Sequence, residues 1–263
     1  MKRGHIAEIF SSFQGEGPYA GRRQIFIRFA GCPLSCFYCD TSYAREPRPG
    51  FCTILFIKKK TSTKRNPVST TDVMDYVKEL LTPDLHSICY TGGEPLLSAA
   101  FVKEIAMKAK SMQLKNFIET NGYLAEAFAS LADYFDFASI DIKLRNHRAV
   151  EGKDYARLYE NELECIRISI DRGIETVVKV VVVKNTLADE IGEICKDLSD
   201  FDIKFVLQPV TVTPHLHNTD ATGETQVEIV PGVKELFELS ETAGLYLPEV
   251  MVIPQVHKFM RIR

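Results

Sequence analysis

The sequence predicts an α/β fold, a parallel sheet covered by helices, and three observations carry that prediction. Short β-branched runs alternate with segments of helical period, as βα units do when they close around a parallel sheet. The run TVVKVVVV from Thr176 to Val183 is almost all β-branched and has no 3.6-residue period, so it reads as a strand buried on both faces in the middle of that sheet. The length, 263 residues, lies inside the range of one α/β barrel-type domain.

In chain order, the β-branched and aromatic runs place strands at Gln24–Phe29, Ser87–Thr91, Asn116–Thr120, Phe137–Lys143, Glu175–Val183, Lys204–Gln208 and Val250–Ile253. Segments of helical period fall between them, at about Asp72–Leu81, Ala99–Met112, Leu124–Tyr134, Asn161–Arg172, Leu187–Asp197 and Gly232–Ala243. Ahead of the first strand, Phe13 to Gly17 (FQGEG) is a glycine-flanked loop. One stretch breaks the alternation. Arg45 to Thr70 carries Arg45, Arg48, Lys58, Lys59, Lys60, Lys64 and Arg65 against the single acid Glu46, with CTILFI in its middle as a possible hairpin strand. It reads as a basic insertion within a single domain spanning 1–263: either a solvated hairpin, or a lid or dock for an acidic electron-transfer partner.

Composition removes several classes. Hydrophobic residues are 45% and charged residues 25% of the chain, which excludes wholesale disorder, a coiled coil or a fibre. Lysine and arginine number 32 against 35 acidic residues, so nothing favours gripping a nucleic-acid backbone across the surface. No window approaches the 18 or so apolar residues of a membrane span, and MKRGHIAEIF lacks a secretory apolar run, so the chain reads as reduced and cytoplasmic. In that compartment closely spaced cysteines more often bind metal or do redox work than form bridges.

Of the seven cysteines, Cys32, Cys36 and Cys39 lie together in GCPLSCFYCDT with the spacing C-x3-C-x2-C. Three thiolates can cap three irons of a cubane cluster and leave the fourth open to a small molecule. Zinc is the competing reading, but it needs a fourth ligand, and no second CxxC or HxxxH occurs. Cys52, Cys89, Cys165 and Cys195 are scattered and form no second motif. ICYTGGEPLL runs off a predicted strand into Gly92, Gly93 and Glu94, so that the backbone there approaches a ligand or simply turns. SIDIK ends another strand with Ser139, Asp141 and Lys143, as a site or as a local ion pair. Arg28, at the end of a predicted buried strand, needs a carboxylate from the protein or from a substrate. His215 and His217 project to one side of an extended segment and read as structural.

The cysteine spacing with an aromatic residue at Tyr38, together with GGEP, resembles the signature of the radical S-adenosylmethionine (SAM) superfamily. Residues 8–43, FVLQPV at Phe205–Val210 and IPQVHKFM at Ile253–Met260 are similar to the 7-carboxy-7-deazaguanine synthase family, and the similarity fails across Arg45–Thr70. The resemblance, with the strand count, implies a partial, incompletely closed TIM-like βα barrel whose active face lies at the strands' C-terminal ends. It implies a [4Fe–4S] cluster on Cys32, Cys36 and Cys39, SAM contacts from Tyr38, Cys39, Asp40, Gly92, Gly93, Glu94, Ser139, Asp141 and Lys143, and Mg2+ on Thr41. Substrate contacts would come from Phe13, Gln14, Gly15, Glu16, Arg28, Thr91, Gln208, Gln255 and His257.

The reaction implied begins with reductive cleavage of SAM to a 5′-deoxyadenosyl radical. Abstraction of hydrogen from C6 of 6-carboxy-5,6,7,8-tetrahydropterin, ring contraction and loss of ammonia then give 7-carboxy-7-deazaguanine, a deazapurine precursor of the queuosine or archaeosine type made for tRNA modification. The partners implied are the pterin, a reductant such as flavodoxin or ferredoxin, and a second copy of the chain in a homodimer. Two other readings stay open: a glycyl-radical-enzyme activase, which the FQGEG loop and PQVH ending disfavour, and a non-catalytic iron–sulfur electron-transfer or redox-sensing protein.

Overall fold

A computed structural model describes residues 1–56, 60–211 and 229–262. Lys58 and Lys59, like His215 and His217, lie outside the described residues. The chain opens with a short strand β1 (Arg3–Gly4), then β2 (Ile6–Phe13) and β3 (Arg23–Phe29). A hairpin of β4 (Phe51–Leu55) and β5 (Ser62–Arg65) follows, and then β6 (Val68–Ser69) leads into α1 (Thr70–Leu80). From there strands and helices alternate: β7 (Leu85–Gly92), α2 (Ala99–Ser111), β8 (Asn116–Thr120), α3 (Ala125–Ala129), β9 (Phe137–Ile142), α4 (Tyr155–Asp171), β10 (Glu175–Val182), α5 (Ala188–Asp197), β11 (Lys204–Pro209), α6 (Val233–Gly244), β12 (Val250–Val252) and α7 (Val256–Met260).

The main sheet has ten strands in the order β12-β11-β10-β9-β8-β7-β3-β2-β4-β5. The seven strands from β12 to β3 are all parallel, and they are the seven that the sequence predicts. The sheet does not close, because β12 and β5 stand at opposite edges without pairing. Three strands at the β5 side arise differently. β2 runs antiparallel to β3, β4 parallel to β2, and β5 antiparallel to β4.

The basic stretch is therefore more than a wetted excursion. Its hairpin extends the sheet, burying Cys52 and Ile54 while Phe51, Thr63 and Arg65 face water. Burial, helped by the Glu8 charge, pushes the Cys52 thiol up to about 12, so this cysteine is an inert small hydrophobe of the hairpin. α1 begins where Ser69 and Asp72 form a reciprocal capping box, the Asp72 amide donating to Ser69 Oγ at 3.1 Å and the Ser69 amide to Asp72 Oδ2 at 3.0 Å.

β10 shows why its lysine matters. Val178, Val180 and Val182 join the core beneath the helices, while Val177, Lys179 and Val181 point to the concave face. That face is packed at its base by Phe10, Tyr19, Phe26, Phe117, Phe137, Val177 and Val206. Above this apolar floor the strand ends carry charges. The predicted helix Leu124–Tyr134 is broken, α3 giving way to a separate 3-10 turn at Ala132–Tyr134, and α4 begins at Tyr155, ahead of the predicted Asn161.

Candidate functional site

The C-terminal ends of the parallel strands, the loop after β3, the FQGEG loop and α7 enclose a cleft of about 390 Å3. Every site residue predicted from the sequence lines it except Ser139. Ser139 sits two positions deeper than Asp141 on the same face of β9, buried one layer below the cleft.

Cys32, Cys36 and Cys39 are all free thiols on the cleft wall, whereas Cys52, Cys89, Cys165 and Cys195 are buried elsewhere. Burial pushes Cys32 up to about 11 and raises Cys36, against the pull of the nearby Lys143 ammonium. Protonated thiols in a half-buried loop become ligands only when a cationic centre compensates the thiolate charge. Three free thiols lining one cleft are the donor set that three irons of a cubane take. The Asn121 side-chain Nδ2 donates to Cys32 Sγ at 3.6 Å, and Thr41 Oγ1 lies 3.8 Å from Cys39 Sγ.

The glycines of GGEP make room for protein. A Cβ at Gly93 would lie 2.0 Å from the Gly31 carbonyl oxygen, and one at Gly92, where φ is +124°, would lie 2.5 Å from the Phe29 backbone. The end of β7 thereby presses against the base of the cysteine loop. Glu94 is equally committed: it accepts from the Leu96 amide at 3.0 Å, Thr120 Oγ1 at 2.7 Å and the Asn121 amide at 2.8 Å. Burial nevertheless lifts its carboxyl to about 7.

Across the cleft floor runs a chain of charges. Lys179 pairs with Glu16 and, at 3.2 Å, with Asp141, which also takes Lys143 at 3.0 Å. Gln255 donates to Glu16 at 2.8 Å and to Asp40 at 3.1 Å, and Lys258 pairs with Asp40 at 2.8 Å. Burial opposes the charge on Glu16, yet Lys179 and Gln255 outweigh it and keep this carboxyl below its ordinary range. Arg28 finds its carboxylate within the protein, Nε donating to Glu8 at 2.8 Å, so charge balance there does not wait for a substrate. The Gln14 amide is also used internally, donating to Gln24 and Glu119 and accepting from the Gly15 and Glu16 amides. It folds the FQGEG loop. Gly15 is glycine because a Cβ would lie 2.1 Å from the His257 ring, and the Gly15 carbonyl accepts from the Val256 amide at 2.8 Å.

Several polar cleft residues escape the sequence reading, among them Glu8, Glu119, Asn121 and Lys179. Lys179 had a signal, a lone charge in a run otherwise too apolar for one exposed face. Glu119 takes Thr91 Oγ1 at 2.6 Å, and burial with the nearby Glu16 charge raises its carboxyl. Gln208 stands apart, because its Oε1 is buried in the cleft lining without a hydrogen-bond partner among the described residues.

The Radical SAM superfamily profile matches residues 26–198. A 7-carboxy-7-deazaguanine synthase of Methanocaldococcus jannaschii is 39% identical over 97% of this chain and 98% of its own length. That of Geobacter sulfurreducens is 35% identical over 97% of this chain and 96% of its own. Among solved structures, QueE from Escherichia coli superposes with a TM-score of 0.57 at 16% identity, covering 97% of this chain and 95% of that one. A radical SAM methyltransferase from Sphaerobacter thermophilus gives 0.63 at 14% identity, covering 89% of this chain and 66% of that one. The chain belongs to the radical SAM superfamily and, within it, to the 7-carboxy-7-deazaguanine synthase family.

Proposed function

We propose that this enzyme converts 6-carboxy-5,6,7,8-tetrahydropterin to 7-carboxy-7-deazaguanine with loss of ammonia. A [4Fe–4S] cluster on Cys32, Cys36 and Cys39, with SAM on its open iron, would supply the radical that takes hydrogen from C6 of the substrate. The chain's own residues bind, orient and exclude water. Asp141 and Lys143, ion-paired in the cleft near Tyr38 and Cys36, suit the charged ends of SAM. Phe13, Arg28, Thr91 and Gln208 suit the pterin, whose amino and ring N–H groups need acceptors and whose carboxylate needs a cation. Thr41, with Asp40 beside it, offers hard oxygens for one Mg2+ that would otherwise keep substrate and water as ligands.

The observation that carries this reading is Gln208 Oε1, unpartnered among the described residues, since a buried carbonyl without a donor is costly until a ligand N–H meets it in the cleft that the three thiols also line. An activase acting on a protein backbone is not favoured, because Gln255, Val256 and Lys258 of the closing segment tie back over the cleft to Glu16, Gly15 and Asp40. We further propose that residues 1–263 form one domain with the basic hairpin as an insertion, acting in the cytoplasm as a homodimer reduced by a flavodoxin or ferredoxin. Its product would enter deazapurine synthesis for tRNA modification. The test is anaerobic incubation of reconstituted, reduced protein with SAM and the carboxylated tetrahydropterin. Release of 7-carboxy-7-deazaguanine is expected; slow cofactor cleavage that ignores the pterin would overturn the assignment and leave the superfamily membership intact.

A further inference from the structure

The loop that carries the three cysteines is held along one side by a turn far away in sequence. Between Cys32 and Cys39, the Ser35 amide donates to the Ala149 carbonyl at 2.9 Å and the Phe37 amide to the His147 carbonyl at 3.3 Å, while Ser35 Oγ donates to the Arg148 carbonyl at 3.1 Å. Leu34 packs in an apolar cluster with Ala149 and Leu158. At the centre of the turn is His147, wholly buried. One ring nitrogen, Nε2, lies 2.8 Å from the Val181 carbonyl of β10. The other, Nδ1, receives the Leu144 amide at 3.0 Å and the Tyr38 hydroxyl at 3.1 Å, and the Tyr38 ring stands edge-on to the imidazole at 4.8 Å between centroids.

These partners fix the tautomer. The Leu144 amide can only donate, so Nδ1 is an acceptor; the Val181 carbonyl can only accept, so Nε2 carries the hydrogen. The Tyr38 hydroxyl therefore donates to His147. A neutral imidazole thus ties three elements together: the sheet through β10, the turn after β9 through Leu144, and the cysteine loop through Tyr38, which immediately precedes Cys39.

We infer that His147 is the positioning residue that holds the cysteine loop in register with the sheet, keeping the three thiols at the spacing a cluster needs. This rests on the cluster proposed above for Cys32, Cys36 and Cys39. His147 touches neither the thiols nor the substrate cleft, and acts through Tyr38 and the loop backbone.

The experiment measures iron, and does not depend on turnover. Reconstituted parent, Tyr38→Phe, His147→Phe and the double variant are challenged anaerobically with an iron chelator. The rate of cluster bleaching is followed, with the electron paramagnetic resonance spectrum of the reduced cluster before and after SAM, and circular dichroism melts as the measure of folding. Loss of the one hydrogen bond between Tyr38 and His147 is expected to speed iron release on the order of tenfold in Tyr38→Phe. His147→Phe should be at least as fast, the double variant should be no worse than His147→Phe alone, and the SAM-induced spectral change should weaken. Tyr38→Phe keeps its ring and its backbone, so it decides the matter even where His147→Phe fails to fold. Parent-like bleaching and spectra in folded Tyr38→Phe, or effects that simply add in the double variant, would overturn the inference. A parent that retains no iron would instead overturn the cluster assignment itself, so the two failures are distinguishable.

Discussion

Replacing Lys179 by methionine tests the electrostatic core of the site. The Lys179 side chain is 9% exposed and its ammonium bridges the carboxylates of Glu16 and Asp141, whose side chains are 20% and 24% exposed. Methionine keeps the volume of the stem and its packing between Val177 and Val181, and it removes only the charge. Breaking a buried pair by deleting one partner costs about 3–5 kcal/mol, because the carboxylates left behind are uncompensated. For a domain of this size that corresponds to a fall in Tm of about 10 °C. The deficit should also depend on pH, with a definite sign. In the parent, Glu16 is held below its ordinary 4.5, so its contribution is complete above the unfolded value and is lost as pH falls through the lower folded value. Without Lys179, burial and the Asp40 charge push the Glu16 carboxyl up instead, and the variant is relieved as that carboxyl takes a proton. Thermal melts of parent and variant between pH 7.5 and pH 5 should therefore show a gap that narrows toward acid. A variant within a degree or two of the parent at pH 7.5, or a gap that holds constant, would refute the charge-chain argument.

Other outcomes follow from individual positions. Glu162 is fully buried on α4, accepts from the Lys143 amide at 3.1 Å, and burial raises its carboxyl well above the usual range. It thus favours folding at low pH and this contribution is lost as pH rises, so Glu162→Gln, which keeps the acceptor, should melt at least as high as the parent at pH 8. Gly93→Ala must displace the Gly31 carbonyl and should cost roughly 3 kcal/mol with defective iron incorporation, read by melts and iron content. Gln208→Leu removes an unpartnered carbonyl at similar volume, so Tm should stay within about 2 °C or rise while KM for the pterin increases roughly tenfold. Asn121→Asp keeps the Oδ1 that accepts from the Tyr123 amide at 3.1 Å and loses the donor to Cys32, so the cluster potential in a redox titration should fall.

What the sequence revealed divides along physical lines. The seven parallel strands were legible because strands buried on both faces leave unbroken β-branched runs, of which Thr176 to Val183 is the strongest. The cysteine triad was legible because its ligands are local in sequence. β2 was not, since IAEIFSSF mixes polar and apolar residues without clean alternation, and its pairing with β3 is a tertiary fact. The broken helix at Leu124–Tyr134 kept a helical period that its own backbone does not follow, because the chain turns to set Asp136 against the Asn116 amide at 2.7 Å. Arg28 was identified as needing a carboxylate, and Gln14 and Glu94 as site residues, but no local pattern could say that their protein partners are Glu8, Glu119 and Thr120. His147 carried no signal at all, since a lone histidine in a turn acquires its role only when Tyr38 and Val181 are brought against it.

The central claim, that this cleft delivers a radical to C6 of a carboxylated tetrahydropterin, is tested most directly by isotope transfer. Reduced, reconstituted protein is incubated anaerobically with SAM and substrate deuterated at C6, and the 5′-deoxyadenosine is analysed by mass spectrometry. The account predicts deuterium in 5′-deoxyadenosine, formed together with 7-carboxy-7-deazaguanine. Unlabelled 5′-deoxyadenosine with no deazaguanine product would contradict it.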